Sequence, residues 1–346
     1  MNYKRLGRSG LKVSPLCLGM MSYGSPAWQP WVLDKGEARQ FVKLALDHGI
    51  NFFDTSDFYS YGGSEEALGE AVAGLCRREE LVISTKVGMP MGTDVPNERG
   101  TSRKRIREAI DASLRRLKTD YVDLYLLHMW DPTTPIEESV DALEDLVRAG
   151  KILYYGASNF RAWQLAHAQH QALSRGGRGL TATQLQYNLV YREEEREALP
   201  YCDVAGLGAM VYSPLARGFL VGGDTAPDQL TDRERARVQK DAKSQALYGK
   251  PGDRAVRERL LELSRRRGVP PGQLAMAWVL SKPQVSTALV GALEPQHLLE
   301  AVAALQVTLS DEDLAFLEEP YVAGQLRTEG LKQVLAQQTR SAAAQP

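Results

Sequence analysis

The feature that most limits what this chain can fold into is an eightfold alternation. A short apolar run is followed by a longer helical pattern, and the pair repeats along the sequence. The runs are "SPLCLG" (14–19), "INFFDTS" (50–56), "LVISTK" (81–86), "YVDLYLLH" (121–128), "ILYYGASN" (152–159), "TATQLQYN" (181–188), "GAMVYSPL" (208–215) and "STALVGA" (286–292). Continuous apolar runs mark strands buried on both faces, as in parallel sheets. Strands alternating with helical patterns mark βα units. Gly49, Gly150, Gly206 and Gly268 sit just past helical patterns, where C-terminal caps belong. Eight units in 346 residues fit one closed barrel. An open doubly wound sheet would carry G-x-G-x-x-G after its first strand. Here "GMMSYGSPAW" follows that strand, and the one G-x-G, at Gly206 and Gly208, precedes a strand instead. The expected fold class is therefore α/β: a (β/α)8 TIM barrel over residues 1–346. An N-terminal hairpin around Gly7 to Gly10 and an extra C-terminal helical segment accompany it. Residues 216–253 are polar and rich in Gly and Asp, and read as a long loop after strand seven. Residues 340–346 read as a frayed tail.

Composition removes several function classes. The net charge of -1 gives no electrostatic reason to bind nucleic acid or an anionic membrane. The basic runs "SRKRIRE" (102–108) and "SRRRG" (264–268) carry apolar residues at helical spacing and read as solvated helix faces. Three scattered cysteines, Cys17, Cys76 and Cys202, form neither a disulfide framework nor a metal-binding pair, so no metal is expected. The start of the chain has no apolar signal region, and no run approaches the ~18 apolar residues of a membrane span. A reduced cytoplasmic compartment is the expectation. Oligomeric state cannot be read from the sequence.

In such a barrel the active site lies at the C-terminal ends of the strands. Strand two ends at Asp54, strand three at Lys86, strand four at His128, and strand five at Ser158 and Asn159. Strand six carries Gln184, strand seven ends at Tyr212 and Ser213, and strand eight runs into Gly291. Each residue alone has a structural reading, as a turn, a cap or a satisfied core group. A polar residue closing nearly every strand on one rim points to chemistry. A phenol has a reference pKa near about 10 and is a poor acid at neutral pH. A nearby ammonium favours the phenolate, and lowering the pKa by two units takes about 2.7 kcal/mol. Asp54, Tyr59, Lys86 and His128 can supply a phenol, an ammonium beside it, a carboxylate to hold the ammonium, and an imidazole. Asp57 reads as a loop-capping residue.

The motifs "FFDTSDFYSYGGSEEALG", "STKVG", "DLYLLHMWDP", "YYGASNF", "TQLQYN", "REEERE" and "YSPLARGFL" closely resemble the aldo-keto reductase superfamily. The resemblance runs from Tyr3 to about Tyr321 and is nearest to bacterial members of the branch that holds the potassium-channel β subunits. It implies a barrel binding a nicotinamide dinucleotide, usually NADP(H), and reversible reduction of aldehydes or ketones to alcohols. It implies Tyr59 as general acid, Lys86 lowering its pKa, Asp54 holding Lys86, and His128 orienting the carbonyl. For the cofactor it implies Gly19, Met20, Ser158, Asn159, Gln184, Tyr212, Ser213, Leu215 and Arg217, with Gly291, Glu294, His297 and Glu300 after strand eight. Glu294 stands where the branch carries a Lys or Arg for the 2′-phosphate. A carboxylate repels a phosphate and can accept from a free ribose hydroxyl, which makes NAD(H) a serious alternative. Trp28, Trp31, Phe58, Met129 and Trp130 are candidates to wall an apolar mouth for a small carbonyl substrate. The competing implication is a dinucleotide-binding regulatory subunit with little turnover. A lysine-based aldolase is weaker, since it leaves Tyr59 and Tyr212 unexplained.

Overall fold

A computed structural model describes residues 1–222, 235 and 239–323. Eight parallel strands close into a barrel in sequence order. They are β1 (Leu16–Gly19), β2 (Phe52–Asp54), β3 (Val82–Val87), β4 (Val122–Leu127), β5 (Ile152–Ser158), β6 (Ala182–Gln186), β7 (Gly208–Tyr212) and β8 (Val285–Val290). The eight apolar runs correspond to these strands one for one. Around them lie α1 (Ala38–Asp47), α2 (Gly63–Val72), α3 (Arg103–Leu117), α4 (Ile136–Arg148), α5 (Ala162–Ser174) and α6 (Ala198–Ala205). After β7 come α7 (Ala242–Leu247), α8 (Pro251–Arg267) and α9 (Pro271–Leu280), and after β8 come α10 (Pro295–Ala303) and α11 (Asp311–Glu318). The last of these is the extra C-terminal helix. No helix among the described residues is long and apolar enough to cross a membrane.

The core has two layers. One fills the space between strands and helices and includes Phe41, Phe53, Ile106 and Trp278. The other fills the barrel bore with Cys17, Phe52, Leu124, Leu126 and Met210. The N-terminal hairpin, an antiparallel pair of Lys4–Arg5 with Lys12–Val13, closes the bottom by adding Leu6 and Val13 to that bore. Gly7 in its turn has φ +57, and a Cβ there would meet the Gly206 carbonyl oxygen at 2.4 Å. Only glycine lets the hairpin seat against the start of β7.

The span 216–253 is more structured than the loop expected there. It holds a 3-10 turn at Ala216–Gly218, helix α7 and the first residues of α8. Residues 223–234 and 236–238, and the expected tail at 340–346, lie outside the described residues. Arg105, read within the run 102–108 as solvated, is otherwise: it is 7% exposed and paired with Asp57.

Candidate active site

β2 ends at Asp54, in register with Gly19 of β1 and Ser84 of β3. Lys86, two residues past Ser84, points to the same side because strands alternate faces. Its Nζ donates to Asp54 Oδ2 at 2.6 Å and to the Thr55 carbonyl at 2.7 Å. The other carboxylate oxygen, Asp54 Oδ1, accepts from Ser84 Oγ at 2.6 Å and from Gln184 Nε2 at 2.9 Å. Burial works against the charge on Lys86, but Asp54 and Tyr59 outweigh it and the ammonium pKa lies above its usual value.

Tyr59 opens a 3-10 turn right after β2, and Lys86 Nζ lies 4.9 Å from the centre of its ring. Burial raises the phenol pKa, Lys86 pulls it down and Asp54 pushes it up; the net direction is upward. The expected lowering by Lys86 is therefore present as a contribution and overruled by burial. The phenol stays protonated at neutral pH. His128 follows β4 directly. Its ring stands edge-on to Tyr59 at 5.7 Å, and its Nδ1 lies 3.0 Å from Ser56 Oγ.

Two left-handed corners complete the rim. Asn159, at the end of β5, has φ +58. Its amide donates to the His128 carbonyl and to Ser158 Oγ, both at 3.0 Å, and its oxygen accepts from the Tyr212 hydroxyl at 2.7 Å. That chain ties β4, β5 and β7 together and fixes the Tyr212 ring. After β7, Ser213, Ala216 and Arg217 all have positive φ. Such strain in non-glycine residues concentrates where a site over-determines the backbone. Arg217 is paired with Asp241 at 2.7 Å, and Asp241 caps α7 by accepting from the Ser244 amide at 3.2 Å.

One cavity opens over these strand ends. Asp54, Tyr59 and His128 line its floor, with Lys86 fully buried beneath. Ser158, Asn159, Gln184, Tyr212, Ser213, Leu215 and Arg217 line one flank, and Gly19, Gly291, His297 and Glu300 continue it. A Cβ built at Gly218 meets nothing within 4 Å, so bare backbone faces this flank.

Residues 15–321 match the profile of the aldo/keto reductase family. The chain belongs to this family. Relatives include the versiconal hemiacetal acetate reductase of Aspergillus parasiticus, 39% identical over 93% of this chain and 97% of its own. A Saccharomyces cerevisiae protein provisionally named as an aryl-alcohol dehydrogenase is 38% identical over 92% of this chain and 96% of its own. A Schizosaccharomyces pombe protein provisionally named as a voltage-gated potassium channel subunit beta is 39% identical over 88% of each chain. These three are fungal, and they give no support to the bacterial placement expected from the motifs.

Besides Lys86 beneath the floor, four expected residues of this aldo/keto reductase stand outside the cavity lining. Met20 is buried behind it, and Met21 lines it instead. Trp31 is buried beside the Arg217 guanidinium, 5.8 Å from it. Trp130 packs against Phe160 and Trp163 at 5.3 Å each. Glu294 precedes α10 as its N-cap, so Glu300 is the carboxylate that reaches the cavity. Trp28 and Phe58 do line the mouth, packed edge to face at 5.5 Å, with Met89 and Met129 beside them. Asp57 does more than cap its loop: it accepts from the Phe58 amide and is also the buried partner of Arg105. Gln186 was missed, although "QLQYN" places polar residues at Gln184, Gln186 and Asn188 with the period of a strand face. Leu247 was missed as well, because it enters the cavity from α7, inside the stretch expected to be loop.

Proposed function

We propose that this chain is an NAD(P)H-dependent oxidoreductase that interconverts aldehydes or ketones with alcohols. The observation that carries the reading is the cluster at the cavity floor: a protonated phenol over a fully buried, charged lysine held by Asp54, with His128 edge-on to the phenol. When bound, the dinucleotide supplies or takes the hydride. The residues that would hold it are Ser158, Asn159 and Gln184 for the carboxamide, Tyr212 for the ring, and Arg217 with the Gly218 backbone for the phosphates. The glycine-bare flank and the buried Arg217 guanidinium fit such a group.

The chain's own part is the proton. Tyr59 donates from its hydroxyl to the oxygen of the reduced carbonyl, a general acid step. Lys86 steadies the phenolate left behind, and Asp54 keeps Lys86 charged and aimed. His128 offers a donor to the oxygen as negative charge develops on it. Glu300 in the cavity wall, with Glu294 just outside it, would favour a free ribose hydroxyl over a phosphate, so NAD(H) competes with NADP(H). Glu300→Lys, and Glu294→Lys beside it, should move preference toward NADPH in paired affinity titrations. The apolar mouth of Trp28, Phe58, Met89 and Met129 suits small and medium uncharged carbonyls.

The deciding experiment is NAD(P)H oxidation across a broad carbonyl panel for the parent and Tyr59→Phe. Turnover by the parent and a loss of at least about a hundredfold in the variant is the expected result. A variant as fast as the parent would sink the reading. The relative named as a channel subunit keeps a second reading in view, a dinucleotide-binding regulatory subunit. Tight dinucleotide binding with no turnover on any carbonyl would favour it.

A further inference from the structure

We infer that Ser56 and Asp57 are positioning residues that act through His128, setting which of its ring nitrogens carries a proton. The inference rests on the reading of Tyr59 and His128 given above. Ser56 is fully buried, and its hydroxyl is a junction. It lies 3.0 Å from His128 Nδ1, donates to Asp57 Oδ1 at 3.4 Å and accepts from the Phe58 amide at 3.2 Å. A hydroxyl has one proton to give. When that proton points to Asp57, the bond to His128 requires a hydrogen on Nδ1. A neutral ring in that form has no proton on Nε2, whereas an imidazolium carries one on both nitrogens. Above about pH 7 Asp57 is a carboxylate, draws the Ser56 proton and, through it, favours the imidazolium. The ring then meets developing oxygen charge as a donor.

The surroundings keep Asp57 in place for this work. Arg105 of α3 pairs with it, and the pair is buried on both sides. Glu65 of α2 has its own partners, Arg116 of α3 at 2.6 Å and Thr85 Oγ1 of β3 at 2.5 Å, so it does not compete for Arg105. The other titratable groups facing this line are Asp54 of β2, Lys86 of β3, Tyr59, and Tyr125 of β4, whose buried hydroxyl has no hydrogen-bond partner among the described residues. Among the described residues Asp57 is the acid that the Ser56 hydroxyl meets, and the same hydroxyl meets His128.

The test uses the full chain with dinucleotide and a carbonyl that the parent reduces. Ser56→Ala should lower kcat by about tenfold or more, the loss of one well-placed hydrogen bond in the transition state. Dinucleotide affinity should stay within about twofold. The alkaline limb of the kcat/KM profile should move to lower pH, because the protonated ring has lost its support. On a His128→Gln background the same change should cost little further, as residues acting through one another are not additive. Parent-like kcat and an unmoved limb in Ser56→Ala would overturn the inference. So would an equal loss on the His128→Gln background, which would make Ser56 merely structural. A fully active Tyr59→Phe, by contrast, would remove the enzyme reading itself.

Discussion

Asp54→Asn is the change whose consequences follow most directly from the geometry. The carboxylate accepts on both sides: from Lys86 at one oxygen, and from Ser84 and Gln184 at the other. A carboxamide accepts on one side only. Whichever way the new side chain turns, its NH2 faces a donor, either the ammonium or the Ser84 and Gln184 pair. Lys86 is wholly buried, and its remaining acceptors, the Thr55 carbonyl and the Tyr59 oxygen, are both neutral. Breaking a buried ion pair by removing one partner costs about 3–5 kcal/mol. The pH dependence changes sign as well. In the parent, Lys86 has a raised folded pKa, so its stabilisation is fully present below the unfolded value of about 10.4 and is lost as pH rises through the folded value. In the variant burial dominates and the folded pKa falls below the unfolded one. Stability should then climb as pH rises toward the unfolded value of about 10.4, by at most about 1.4 kcal/mol per pH unit. Urea denaturation at several pH values measures both effects. A loss under about 1 kcal/mol at pH 7 together with no upward slope would show that Lys86 does not depend on Asp54 for its charge.

Three further outcomes follow from single contacts. Burial pushes the Asp57 carboxyl up to about 7 against the pull of Arg105, so the fold holds a proton that the unfolded chain releases near about 4. Its contribution to stability should decline as pH rises from about 4 to about 7, and Asp57→Asn should flatten that part of the profile. Gly62→Ala should lower stability by about 1–3 kcal/mol and slow turnover, because φ is +95 and the new Cβ would lie 2.7 Å from the Arg116 side chain. Thermal melts and steady-state rates read it, and a neutral result would mean that Arg116 yields without disturbing the Tyr59 turn. Arg217→Ala should weaken dinucleotide binding by about tenfold or more in fluorescence titration, and unchanged affinity would take Arg217 out of the phosphate contacts.

The barrel was legible because each strand is a bare apolar run ended by a polar residue, and those residues converge once the strands are wound in order. Asp54, Lys86 and His128 came from that rule alone. Tyr59 lies on a turn five residues past Asp54, close enough to fold back over Lys86, and the resemblance added its role as general acid. Arg105 left a signal that went unused: it is in phase with Ile106, Ala109, Ile110, Ser113 and Leu117, the buried stripe of α3. A charged residue on an apolar stripe calls for a buried partner, and Asp57, 48 residues earlier, is that partner. Trp31 and Trp130 misled because a loop tryptophan can face either the mouth or the flank, and spacing does not distinguish the two. Leu247 left no signal, since α7 sits inside a polar stretch with no apolar period to announce it.

Residues 54 to 62 show why these features belong to one device. Asp54 is held by Lys86 and Asp57 by Arg105, so buried ion pairs pin the segment just before Tyr59. After Tyr59, Ser60 and Tyr61 take left-handed conformations at φ 51 and 50. Non-glycine residues in that region cost on the order of 1–3 kcal/mol each, and they persist only where neighbours leave no alternative. Ser60 Oγ accepts from the Ser25 amide at 3.1 Å, and Gly62 takes the next positive φ and leads into α2. Buried ion pairs are weak sources of net stability, because desolvation offsets most of their attraction. Their placement just ahead of a strained turn therefore makes better sense as positioning than as stabilisation: they hold one hydroxyl over one ammonium, where a looser turn would let it leave.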